Sequence, residues 1–154
     1  MGLDMYLYGD VYAGQYLGRE NYERIKRVEF NHPWPVDPES FTVRATLAYW
    51  RKANAIHNWF VQNCQDGKDE CQVSYVSVEQ LKELSDICTQ LLASRDEDEA
   101  RDLLPPQSGF FFGGTEIDEH YWTDLEETVR QLNRIITSEM ARNDELAFHY
   151  QSSW

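Results

Sequence analysis

From Ala45 to Gln62 the chain reads Ala-Thr-Leu-Ala-Tyr-Trp-Arg-Lys-Ala-Asn-Ala-Ile-His-Asn-Trp-Phe-Val-Gln, and the spacing of its large residues constrains the fold more than any other stretch. At about 100° per residue, Tyr49, Ala53, Ile56 and Phe60 fall on one apolar line. Leu47, Trp50, Asn54, His57 and Val61 form a second ridge beside it. The spacing predicts a single helix over 45–62. A helix that is apolar around most of its circumference belongs in the middle of a domain, so the other elements are expected to pack around this one. Trp50, Asn54 and His57 then sit on neighbouring turns at the edge of the core, where side chains converge on one ligand or satisfy buried backbone groups.

With 154 residues the chain fits one domain, 1–154, with a core of ordinary size. Aromatics at 14% and hydrophobics at 42% mark it as folded despite 27% charged residues. Twenty-seven acids against fourteen Lys and Arg give a net charge of -13, a field that repels nucleic acid and anionic membrane and attracts basic surfaces. Direct nucleic-acid binding and membrane association are therefore not expected. Cys64, Cys71 and Cys88 are an odd number, and no apolar segment is long enough for a signal peptide or a span. A reducing, cytoplasmic setting follows as the expectation. The start Met1-Gly2 lacks the Ser or Thr at position 6 that an acylation signal carries, since Tyr6 stands there.

Leu3, Met5 and Leu7 alternate with Asp4, Tyr6 and Tyr8, the period of a half-buried strand, with Gly9-Asp10 offering a bulge or bend. Tyr22 to Phe30 reads as a second strand, with a short helix as the alternative. Three prolines between Asn31 and Pro38 exclude regular structure there. Asp66-Gly67 is a turn signal and Gln72 to Ser77 a short β run. Ser77 followed by Gln80 forms a capping-box pattern, and Leu81, Leu84, Cys88 and Leu91 supply the apolar stripe of the helix it opens. Asp96 to Asp102 reads as a charged, solvated continuation ending at Pro105-Pro106. Gln107 to Gly114 is a short buried strand or a tight aromatic loop. A third helix starts at Thr115, with Asp118 completing its cap and Tyr121, Leu125, Thr128, Leu132, Ile135 and Met140 along one face. Glu145 to Trp154 closes the chain as a strand whose expected partner is the N-terminal one, with its terminal aromatic docked. The fold expected is α+β: a small antiparallel sheet including the N- and C-terminal strands, packed with about three main helices.

The residues that offer binding chemistry are Trp50, Arg51, Asn54 and His57, with Phe111 as a further aromatic wall. Arg51-Lys52 either pairs with surface carboxylates or holds a phosphate or carboxylate. Phe110 to Phe112 are core residues or, with Trp50, flank a planar ligand. Gly113-Gly114-Thr115 resembles a phosphate-cradling turn, but Glu116, Asp118 and Glu119 fill that end and no P-loop Lys follows, which favours an ordinary capped start. Cys64 and Cys71 lack the spacing and partners of a metal site, and no nucleophile motif occurs. No catalytic residue, metal or cofactor is assigned. A second surface, Asp96, Glu97, Asp98 and Glu99, offers an acidic face for docking on a basic groove.

Taken together, Met1-Gly2-Leu3-Asp4-Met5-Tyr6-Leu7, the run Tyr49-Trp50-Arg51-Lys52-Ala53-Asn54 with Ile56-His57 and Trp59-Phe60, Ser108-Gly109-Phe110-Phe111-Phe112-Gly113, and Tyr150-Gln151-Ser152-Ser153-Trp154 resemble a family of small uncharacterised proteins of phages and prophage-bearing bacteria. Gly114 and Ile117 depart from its pattern, which has Ser and Tyr there. The resemblance brings no established activity or catalytic residues. It implies an accessory phage product of the kind that blunts host defences. The function expected is a non-enzymatic, phage-encoded inhibitor that either docks on a host defence protein with a basic surface, by anti-CRISPR-like acidic mimicry of nucleic acid, or sequesters a nucleotide signal. The alternatives are a small nucleotide- or phosphoester-processing enzyme with His57 as base and Arg51 as anion clamp, or a virion-associated structural protein. Oligomeric state is left open.

Overall fold

Four antiparallel strands and five helices form an α+β domain in the computed structural model, which describes residues 2–28, 38–142 and 144–154. The strands are β1 (Asp4–Gly14), β2 (Ser40–Arg51), β3 (Ser74–Val76) and β4 (Leu146–Ser153), in the sheet order β2-β1-β4-β3. As expected, the two terminal strands pair, Leu7 lying opposite Tyr150 and Gly9 opposite Phe148. Leu3, Met5 and Leu7 are fully buried, and Tyr6 and Tyr8 stack with their planes 2° apart on the other face. The irregularity expected at Gly9-Asp10 falls one step earlier, at the Leu7/Tyr8 pairing with β2. A Cβ at Gly9 would come within 2.7 Å of the Leu47 side chain, so any larger residue there has to displace that leucine.

The helices are α1 (Arg19–Lys26), α2 (Asn54–Cys64), α3 (Val78–Ser94), α4 (Glu97–Leu103) and α5 (Glu119–Ile136), followed by a 3-10 turn at Glu139–Arg142. The Ser77 capping box forms in both directions, and Leu81, Leu84, Cys88 and Leu91 are all buried. Tyr121, Leu125, Thr128, Leu132 and Ile135 line the inner face of α5. The core between sheet and helices includes Met5, Trp50, Ile56, Phe60, Leu84, Leu125 and Tyr150. Each large apolar side chain so buried contributes about 1.5–3 kcal/mol.

The helix expected over 45–62 is corrected. Ser40–Arg51 is a strand paired with β1 along its whole length, and only Asn54–Cys64 is helical. Phe41, Val43, Tyr49 and Trp50 suit a pleated surface, and pairing with the tyrosine-rich β1 overrides the helical spacing. Ala48 and Trp50 face the core while Tyr49 and Arg51 are exposed, which is the period of a strand. The strand read at 22–30 is likewise corrected: residues 22–26 belong to helix α1, whose Tyr22 is its buried residue and packs on Phe41, while 29 and 30 lie outside the described residues. The segment 96–102 is a separate helix rather than a continuation, because Arg95 adopts a left-handed φ of 51°. Helix α5 begins four residues later than expected, at Glu119, with Asp118 capping the amides of His120 and Tyr121. Gln107 to Gly114 is a loop. The proline-rich segment, apart from Pro38, and the side chain of Met140 lie outside the described residues.

Candidate functional site

Where β2 ends, the chain turns sharply into α2. Lys52 takes a left-handed φ of 62°, its amide donates to the Leu3 carbonyl at 2.8 Å, and the Asn54 amide donates to the Lys52 carbonyl at 2.8 Å. A left-handed non-glycine residue is strained and persists only when its surroundings hold it. Asn54, the first residue of α2, is buried and reaches the other way, its side-chain amide donating to the carbonyls of Phe112 at 3.2 Å and Gly114 at 2.7 Å. One side chain thus ties the 109–114 loop to the β2–α2 turn. Gly113 lies across this turn with φ 98°, a conformation open to glycine and costly for other residues.

These pieces enclose a cleft of about 320 Å³ between the end of β2 and the start of α5. Its walls carry two kinds of charge. Arg51 and Lys52 stand on the β2 side; Glu116, Asp118, His120 and Asp124 stand on the α5 side, with Tyr121 below. Arg51 is held by Asp4 at 2.8 Å, and Asp4 also accepts from the Tyr49 hydroxyl, which keeps its carboxyl below the usual range. The Asp124 carboxyl, by contrast, has no hydrogen-bond partner among the described residues. Burial pushes it up to about 6, with Asp118 adding to the effect and His120 opposing it.

The structure separates the residues that the sequence grouped. Arg51 and Asn54 line the cleft; Trp50 and His57 do not. Trp50 is buried under the sheet, its indole donating to Thr128 Oγ1 at 2.9 Å while Thr128 donates to the Asp124 carbonyl. It therefore supports the helix that carries Asp124 without touching the cleft. His57 is fully buried, with Nδ1 2.7 Å from the Tyr150 hydroxyl and Nε2 3.0 Å from Asp69 Oδ2. Burial raises Tyr150 well above its ordinary value, so it stays a phenol and donates to Nδ1, leaving the Nε2–H for Asp69. Asp69 also accepts from the Trp154 indole at 3.0 Å, and Trp154 packs edge-on to Phe112, so the chain terminus is tied down by this network. Phe112 is buried against His57, whereas Phe110 and Phe111 project to solvent, and Phe111 does not line the cleft.

The acidic segment sits on α4. Asp96 caps the Glu99 amide, Glu97 lies 3.5 Å from Arg101, Glu99 accepts from Gln90 and Ser94, and Asp98 is exposed. Burial raises the Cys64 and Cys88 thiols to about 12, which keeps them protonated and unreactive. Among the described residues no group of three His, Cys, Asp or Glu is placed to hold a metal ion, and no helix is long and apolar enough to cross a membrane.

The sequence reading missed Asp118, His120 and Asp124 as cleft residues. Asp124 carried a signal: it falls three residues after Tyr121 and four before Thr128, on the buried stripe of an amphipathic helix. Fold and site together define the class, an α+β domain with a charged cleft between its sheet and the start of its longest helix. No protein-family model, no curated protein and no solved structure matches the chain.

Proposed function

We propose that this chain is a non-enzymatic binding protein that sequesters a small nucleotide in the cleft between β2 and α5. The observation that carries this reading is the pairing of two cations, Arg51 and Lys52, with a half-buried, unpartnered Asp124 across one cleft. A ligand with an anionic end and an amino-bearing ring meets both walls: phosphate on Arg51 and Lys52, N–H donors on Asp124. The setting we propose is a phage accessory protein that removes a host defence signal, on the strength of the resemblance of its motifs. Docking through Asp96 to Glu99 has less support, because three of those four side chains are engaged within α3 and α4.

Calorimetric titration with a nucleotide panel tests the proposal. Arg51→Ala, Lys52→Ala and Asp124→Asn are each expected to weaken binding about tenfold or more, since a charge-assisted hydrogen bond contributes about 1.5–3 kcal/mol. Phe111→Ala is expected to leave it unchanged. Unaltered affinity in all three cleft variants rejects the reading.

One observation favours a second reading. A carboxyl near 6 beside His120 is poised for general acid or base work on a phosphoester. Turnover of a nucleotide that Asp124→Asn abolishes while binding persists would establish an enzyme in place of a sponge, with Asp124 in the role the sequence reading gave to His57.

A further inference from the structure

The α5 wall of the cleft narrows which ring it can read. Thr128 takes the Trp50 indole on its hydroxyl and donates to the Asp124 carbonyl, which steadies this turn of α5 and leaves the Asp124 carboxylate to face the cleft. Neither carboxylate oxygen has a hydrogen-bond partner among the described residues. With its carboxyl at about 6, Asp124 is mostly ionised at pH 7.5 and can only accept. A carboxylate is best satisfied by two N–H donors side by side. Among the common bases guanine alone offers that pair on its pairing edge, N1–H beside the N2 amine. Adenine and cytosine set one amine beside a ring-nitrogen acceptor, which would meet the second oxygen lone pair to lone pair, and uracil sets a single N–H between two carbonyls.

Two further groups agree with guanine. His120 lines the same cleft one turn earlier on α5 and is exposed. In either tautomer one of its ring nitrogens carries a proton, a donor suited to the guanine O6 that adjoins N1. On the opposite wall Arg51 shares its guanidinium with Asp4, while Lys52 has no ion-pair partner among the described residues. Glu116 and Asp118 line the cleft as well, so these two cations suit one phosphate group rather than a polyphosphate chain. The volume of about 320 Å³ lies at the small end of the ~300–1,000 Å³ usual for ligand pockets, which suits one nucleotide unit.

We propose that the cleft selects a guanine mononucleotide, with N1–H and the N2 amine on the two oxygens of Asp124, O6 on His120 and the phosphate on Arg51 and Lys52. This rests on the nucleotide reading above and narrows it to one base. The test is calorimetry of the full chain at pH 7.5 with the 5′-monophosphates of guanosine, inosine, adenosine, cytidine and uridine. Guanosine monophosphate is expected to bind tightest. Inosine monophosphate, which lacks only the N2 amine, is expected to bind about tenfold or more weaker, and the other three about a hundredfold or more weaker. Asp124→Asn keeps the side-chain shape and turns one acceptor into an N–H donor. It is expected to weaken guanosine monophosphate and to bind xanthosine monophosphate, which carries a carbonyl in place of the N2 amine, about tenfold or more tighter than the wild type does. A merely structural role for Asp124 would not raise that affinity. Tightest binding of another base, equal affinity for the guanosine and inosine compounds, or no gain of xanthosine monophosphate in Asp124→Asn would overturn the guanine assignment and leave the cleft a nucleotide site. Absence of binding by every nucleotide would overturn both readings.

Discussion

At the scale of a single residue, Asp124 is a carboxyl held in the fold at a cost to its charged form. Its carboxyl is raised from 3.8 to about 6 because burial penalises the charge and Asp118 adds like-sign repulsion. A raised acid favours the folded state only while protonated. The stability it contributes is full below about pH 4 and is lost as pH rises through about 6. Asp124→Asn is therefore expected to match the wild type in acid and to exceed it at neutral pH. After solvent screening of a half-buried group is allowed for, the gain is on the order of 1–2 kcal/mol. Urea titrations at pH 4 and pH 7.5 measure this difference, and a variant less stable at the higher pH would contradict the assignment. The same substitution is expected to weaken ligand binding under the proposed function, so at this residue stability and binding would pull in opposite directions. His57 illustrates the reverse. Its spacing marked it as a candidate base, yet both ring nitrogens are committed to Tyr150 and Asp69, and it serves to hold α2, the 65–72 turn and the terminal strand together.

Among the elements, β2 decides the most. It stands at one end of the sheet order, is bonded by Gln131 at Tyr49, and delivers Arg51 and the strained Lys52 to the cleft. Gln131→Leu removes two partly buried hydrogen bonds and leaves the Tyr49 amide and carbonyl without partners. The expected cost is about 1–3 kcal/mol. Hydrogen exchange at the Tyr49 amide should quicken by about tenfold or more, while exchange in β4 stays slow; unchanged protection at Tyr49 would show that the amide clamp contributes nothing. Helix α3, with its complete capping box and regular stripe, was readable because everything that defines it lies within its own turns. Strand β2 was not. Tyr49, Ala53, Ile56 and Phe60 satisfy a helical period by coincidence, and the competing alternation of Ala48 and Trp50 against Tyr49 and Arg51 is only a few residues long.

For the molecule as a whole, the excess of acids sets a repulsive background that the fold tolerates. At -13 the folded state is expected to gain stability as salt screens like charges, with the Debye length shrinking from about 30 Å at 0.01 M to about 8 Å at physiological strength. A melting temperature that rises with sodium chloride over this range is the expected outcome. A fall would mean that pairs such as Arg44–Asp10 and Arg51–Asp4 outweigh the net charge. Local patterns were enough for the strand at each terminus, the capped start of α3, and the apolar stripes of α3 and α5, since period and capping are written within a few neighbouring residues; the start of α5 was placed four residues early. Only the tertiary structure decided that β2 is a strand, that Trp50 and His57 belong to the core, and that Arg51, Lys52 and Asn54 face Asp118, His120 and Asp124 across one cleft. Those outcomes depend on pairing with β1 and on the approach of α5, contacts between residues distant in the chain, which no local period encodes.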